Sequence, residues 1–274
     1  DSFQAPDLTL LSEDITSGGI THIDAQRTPD PIVWAVLSGG TIAAMTYQPD
    51  QKIQAWHAHT IGGTGTVVES VAVIPKDITA GIYTDQVWLG VKRTINSATK
   101  RYVEYIDSTL NTDCALVYSG GSTSSISGLS HLEGETVAVK VNDAPQPDKT
   151  VSSGAIAISP AGTAAEVGLP YTHTLTTLPP EFGAQAGASL SRLRRIHEVV
   201  LYLRASSGGL INNDDIIYRS SADDMGAALP LFTGTFRYTP DDSWDRDGNI
   251  TISGSQPLPF NLTAMIMGTS VNEG

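Results

Sequence analysis

The sequence predicts an all-β protein of antiparallel sheets, and three observations carry that expectation. Short segments in which β-branched or aromatic residues alternate with small or polar ones recur along the whole chain. Gly, Pro, Asn and Asp punctuate the gaps between them, as turns require. No apolar pattern of helical period runs beyond about two turns.

The elements follow in order. Strands are expected at 32–37, at 41–47 after Gly39-Gly40, at 53–59 and at 67–74, each bounded by turn residues. The pattern resumes at 86–94, turns at Asn96-Ser97 and returns through 100–106, which describes a hairpin. Near Asn111 the texture changes to Ser, Gly and Thr, as in Ser119-Gly-Gly-Ser-Thr-Ser-Ser125. Strands at 136–141 and 154–158, with turns at Asn142-Asp143 and Pro145-Gln-Pro147, read as a small, compact second module. An Ala- and Gly-rich stretch, 181–190, reads as a connector or loop. Residues 192–205 admit two periods: Leu193, Ile196, Val199 and Val200 fit a helix, whereas 198–203 is dense in β-branched and aromatic residues. The all-β surroundings favour strand there. Segments 231–238, 250–252 and 261–268 supply the closing strands.

Pro31-Ile-Val-Trp34-Ala-Val36 and Asp85-Gln-Val-Trp88-Leu-Gly-Val91 resemble each other, each placing a Trp after a β-branched residue. The 54 residues between Trp34 and Trp88 are slightly more than a four-stranded propeller blade takes, about 40 to 50. On this reading 1–110 forms partial propeller-like blades with Trp34 and Trp88 in equivalent positions. Two blades need neighbours to cover their faces, and the chain opens at Asp1 rather than Met, so further blades are expected upstream. The full expectation is blades over 1–110, a β-barrel or sandwich-like module over 111–180, and a connector with closing strands over 181–274.

Composition narrows the function. The 274 residues are 40% apolar and only 16% charged, against roughly 25% charged in an average soluble domain, which suggests that much of the surface faces protein. With 16 basic and 29 acidic residues the net charge is -13, the wrong sign for gripping phosphate. The same sign suits a wall past which DNA slides without sticking. The lone Cys114 can form neither an intrachain disulfide framework nor a thiolate metal site, and reads as a small core residue. No run of 18 or more apolar residues occurs and no basic-then-apolar leader opens the chain, so a soluble protein made in the cytoplasm is expected.

Few residue sets invite chemistry. His57 and His59 sit two apart, on one strand face, but no third and fourth zinc ligand is marked; solvent-facing histidines are the plainer reading. Asp245-Arg-Asp247-Gly248-Asn249 opens like a calcium loop, yet Gln256 stands where the closing Glu belongs, and a hairpin turn explains Asp247-Gly248 equally well. No Gly-x-Ser-x-Gly elbow is present, and Asp214-Asp215, Asp223-Asp224 and Asp241-Asp242 are adjacent, which sends each pair to opposite strand faces or into loops. Arg192, Arg194 and Arg195 form the one basic cluster, facing an acidic neighbour or guarding a strand edge. No catalytic, cofactor-binding or metal-binding residue is assigned, and the chain reads as a non-enzyme.

Taken together, Ala55-Trp-His-Ala-His-Thr60, Glu69-Ser-Val-Ala-Val-Ile-Pro75, Val87-Trp-Leu-Gly-Val-Lys-Arg-Thr-Ile-Asn96 and Lys100-Arg-Tyr-Val-Glu-Tyr105 resemble the tail-tube B or nozzle proteins of short-tailed bacteriophages. Ile126-Ser-Gly-Leu-Ser-His-Leu-Glu-Gly134, Asp148-Lys-Thr-Val-Ser-Ser-Gly154, Val167-Gly-Leu-Pro-Tyr171, Leu175-Thr-Thr-Leu178, Pro230-Leu-Phe-Thr-Gly234 and Trp244-Asp-Arg-Asp-Gly248 continue the pattern in order, from residue 3 to about 265. The Ala-rich 183–188 stretch departs from it.

The resemblance implies a virion structural protein with no catalytic residues, the C-terminal part of a longer chain. It implies a homohexameric ring at the distal tail that meets the adaptor ring, tube and fibre proteins and lines the DNA ejection channel. The alternative is a carbohydrate- or receptor-binding tail module, which calls for exposed aromatic platforms. Aromatics are only 7% of residues, and Trp34, Trp56 and Trp88 are expected in strand cores.

Overall fold

The computed structural model describes residues 7–79, 81–181, 192–224, 227–241 and 244–271. Strand accounts for 60% and helix for 4%, all sheets are antiparallel where their pairing is described, and none closes into a barrel among the described residues. The 181–190 connector, the 183–188 stretch and Asp242 lie, wholly or largely, outside the described residues, as does Phe3. Two compact units are present: one takes Asp1–Leu116, Ser127–Val137 and Thr150–Ile156, the other Val117–Ile126, Ala138–Lys149 and Ala157–Gly274.

The first unit holds two meanders. β1 (Ile20–Gln26), β2 (Ile32–Leu37), β3 (Ile42–Gln48) and β4 (Ile53–His59) pair in sequence order, as do β5 (Val67–Thr79), β6 (Ile82–Ile95) and β7 (Ala98–Tyr105). Strand β1 and the single-turn helix Glu13–Thr16 had no clear sequence signal; the other six strands fall where alternation places them. Asn96 and Ser97 both adopt positive φ, 48° and 61°, as a two-residue hairpin turn between twisted strands requires. At the turn into β3, Gly40 has φ 79°, and a Cβ there would stand 2.4 Å from Val67 Cγ1. Only glycine lets the two meanders approach that closely.

Trp34, Val36, Ile42 and Ala44 of the first meander and Val68, Val71, Val87, Leu89 and Val91 of the second share one core. Burial of that apolar surface holds the two sheets face to face. The structure corrects the expected equivalence of the tryptophans. Both sit on the second strand of their meander, but Trp34 is buried in the shared core, whereas Trp88 alternates with the inward Val87 and Leu89 and lies on the opposite face, against Tyr105.

A third sheet has the order β10-β9-β11-β8, from β8 (Asp113–Ser127), β9 (Thr136–Val141), β10 (Ala144–Thr150) and β11 (Ala155–Leu169). Two expectations change here. The Ser119–Ser125 run is strand, not loose texture: it lies within the edge strand β8. Pro145 and Pro147 do not turn the chain but lie in the other edge strand, β10, where missing N–H groups cost no ladder bond. Asn142 and Asp143 do form the turn, at φ 47° and 63°.

The remaining strands are β12 (His173–Thr176), β13 (Arg194–Ser206), β14 (Leu210–Ile211), β15 (Asp214–Asp215), β16 (Phe232–Tyr238), β17 (Thr251–Gly254) and β18 (Leu262–Val271). They build the sheets β12-β17-β14-β15 and β16-β13-β18, which share a core of Ile196, Val199, Leu201 and Leu203 with Ile211, Ile216, Ile250 and Ile252. The helical spacing of Ile196 and Val199 has a physical cause: a register shift between Ile196 and Glu198 inserts one residue, so both side chains point inward three positions apart.

Candidate functional site

Three places gather polar or aromatic side chains. The first is buried in the first unit. Arg93 occupies the inward series of β6 after Val87, Leu89 and Val91, and is fully buried. Its Nε donates to the Gly62 carbonyl at 2.9 Å, and its Nη1 donates both to the Glu104 carboxylate and to Cys114 Sγ, the latter at 3.1 Å. Cys114 Sγ in turn donates to Glu104 at 2.9 Å, and Asp113 accepts from the Gly62 N–H. Burial, reinforced by the bond to Glu104, pushes the Cys114 thiol up to about 12, and burial raises Asp113 as well. A thiol so protonated is a poor nucleophile. Cys114 is therefore not an inert core filler, as the sequence suggested, but part of a polar latch around a buried cation.

The second place is the histidine pair. Rather than facing solvent, His57 and His59 are half-buried on the inner face of β4, with Nδ1 of His57 2.8 Å from Nε2 of His59. His59 also lies 4.9 Å from the Trp34 ring. Burial, then the neighbouring His57, lowers His59 to about 4, so the contact joins two neutral rings, one donating. Among the described residues no three His, Cys, Asp or Glu converge in a way that would hold a metal ion.

The third is a cleft of about 440 Å³ in the second unit, lined among others by Arg194, Asn212, Asn213, Trp244, Asp245 and Asn249. The sequence reading divides here. Asp247-Gly248 does not close a hairpin: Asp245 is bridged by backbone bonds of 2.7 and 2.8 Å to Arg194, and the segment then bends into β17. Gly248 does take positive φ, 52°, and its Cα packs on the Arg194 side chain. The basic cluster splits as well. β13 is the central strand of its sheet, so it guards no edge; Arg194 is turned inward with 1% exposure, donating to the Pro180 carbonyl, while Arg195 faces out. Of the acidic pairs, Asp214 accepts from the Tyr238 hydroxyl, and Asp223 accepts from the Ser220 N–H, which lowers its pKa.

No protein-family model matches the chain, and a comparison with curated proteins found no match. Sequence reasoning missed Arg93, Glu104 and Trp244. Arg93 carried a signal, a charge on the inward side of an otherwise apolar alternation; Glu104 shares its strand face with Lys100 and Tyr102 and carried none, and Trp244 stands in a loop, where no period applies. No helix among the described residues is long and apolar enough to cross a membrane.

Proposed function

We propose that this chain is a structural subunit of a tailed-phage nozzle, assembling with copies of itself into a ring, a hexamer by resemblance, through which DNA leaves the virion. The observation that carries the reading is the outer face of the second meander. Ile74, Val103 and Tyr105 are 49%, 77% and 47% exposed there, beside Trp88, and Ile82 stands on the same face toward the far end of the β5–β6 hairpin. Soluble monomers rarely leave so contiguous a patch in water, and a neighbouring subunit would cover it. Lys76 lies within that face, paired across to Thr84, with its Nζ 5.8 Å from the Tyr105 ring.

The charge agrees with a channel wall. Residues 206–274 carry eight Asp and Glu273 against three Arg, and Asp214, Asp215, Asp241, Asp245 and Asp247 are exposed. Acids facing a lumen would keep DNA mobile where a basic wall would hold it. Adaptor, tube and fibre proteins are the further partners of this role, the virion its location, and no catalysis is part of it.

Sedimentation velocity of the chain tests the reading. A ring-sized species is expected at micromolar concentration, lost in Val103→Asp while the fold is retained. A monomer at every concentration, with an unchanged sedimentation coefficient in Val103→Asp, would overturn it.

A further inference from the structure

We infer that the cleft beside Trp244 is a saccharide-binding site, independent of the ring reading above. Its lining holds one buried cation, Arg194, and one exposed carboxylate, Asp245, so neither a phosphate nor a metal cation meets a field of one sign. A neutral ligand rich in hydroxyls is what such a balance admits. The side chains that reach it are amides and a carboxylate, groups that pair with hydroxyls as donors and acceptors.

Two features make the site a built one. Asn212 and Asn213 form the two-residue turn between β14 and β15, both at positive φ, 49° and 70°, so the turn type fixes where their side chains start. Asn212 is then latched to β17: its backbone N–H donates to the Thr251 carbonyl at 2.8 Å, and its Oδ1 accepts from the Thr251 N–H at 3.0 Å. That second bond sets the amide orientation and leaves the NH₂ group to donate to a ligand. Across the cleft, Trp244 is 45% exposed, an aromatic surface that the core does not use. A pyranose presents one apolar C–H face and a rim of hydroxyls, and an indole flanked by amides matches both. At about 440 Å³ the cleft has room for one or two sugar rings, within the usual range for small-ligand sites of about 300 to 1,000 Å³.

The arrangement also explains Gly248. Any Cβ there would stand 2.6 Å from Arg194 Cδ, so glycine lets the 245–249 segment lie over the Arg194 stem and form the cleft wall.

The test is an NMR titration of the ¹⁵N-labelled chain with cellotriose, maltotriose, chitotriose and lactose in turn, following the indole N–H of each of the four tryptophans and, so that the Trp244 variants are read as well, the backbone amides of the cleft residues Asn212, Asn213 and Thr251. The expected result is a saturable shift of the Trp244 indole with at least one of them. Affinity should fall at least tenfold in Trp244→Ala and in Asn212→Ala, and stay within threefold in Trp244→Phe and in Trp88→Phe. No saturable shift with any of the four sugars overturns the proposal, as does binding that survives in Trp244→Ala. Saturation of the same resonance by calcium chloride or inorganic phosphate alone would overturn it in favour of an ion site. None of these outcomes bears on ring assembly, which sedimentation reads separately.

Discussion

Replacing Glu104 by Ala removes the main counter-charge of Arg93, and the structure sets the size of the effect. Arg93 is fully buried, and Glu104 retains 21% of its side-chain exposure. Breaking a buried pair by deleting one partner costs about 3–5 kcal/mol, because the remaining ion keeps its desolvation penalty. Water reaches Glu104 in part, and Arg93 keeps its bond to the Gly62 carbonyl, so the lower end applies, about 3 kcal/mol. For a unit of this size that corresponds to a fall in Tm of roughly 10 °C. Urea unfolding followed by circular dichroism measures it. The double variant Arg93→Met with Glu104→Leu removes both charges and should recover at least half of the loss, since no uncompensated ion remains. A loss below about 1 kcal/mol for Glu104→Ala, or a double variant as unstable as the single one, would refute the latch.

The remaining expectations concern single groups. Cys114, with its thiol pushed up to about 12, should resist alkylation by iodoacetamide at pH 8 in the folded chain and react when urea unfolds it; mass spectrometry reads both. His59, lowered to about 4 from 6.5, binds its proton more readily in the unfolded chain, so its contribution is complete above pH 6.5 and is lost as pH falls toward 4. The loss amounts to up to about 3 kcal/mol, and urea midpoints across that window should fall more steeply in the wild type than in His59→Phe. Gly248→Ala combines strained φ with a collision against Arg194 and should cost about 1–3 kcal/mol, read by thermal unfolding.

The strands were legible because alternation is a local signal. β6 shows it plainly, with inward Val87, Leu89 and Val91 interleaved with exposed or half-exposed residues, and the Asn96-Ser97 and Asn142-Asp143 turns announce themselves through residues that tolerate positive φ. What failed to show was position within a sheet. Pro145 and Pro147 look like turn formers until β10 is known to be an edge, and the Ser119–Ser125 run carries no period because β8 is an edge strand with most of that stretch exposed. Trp34 and Trp88 share a local motif, yet a shift of one residue in a period-two pattern sends one ring to the core and the other outward.

The polar sites were hidden for a different reason. Arg93, Glu104 and Cys114 come from β6, β7 and β8, and Arg194, Asn212 and Trp244 from a strand, a turn and a loop, so neither set is contiguous in the chain. Alternation tells which face a residue takes, not which distant residue it will meet there. A charged residue on an apolar face is nonetheless a constraint in itself: Arg93 in the inward series of β6 must be neutralised by the fold, because a bare buried guanidinium would cost more than a domain's whole margin of stability. The same reasoning asks for carboxylates and carbonyls on the elements that pack over it, and Glu104 and the Gly62 carbonyl occupy those positions. Reading such misfits within a regular pattern, rather than motifs along the chain, is what locates the polar centre of a β protein like this one.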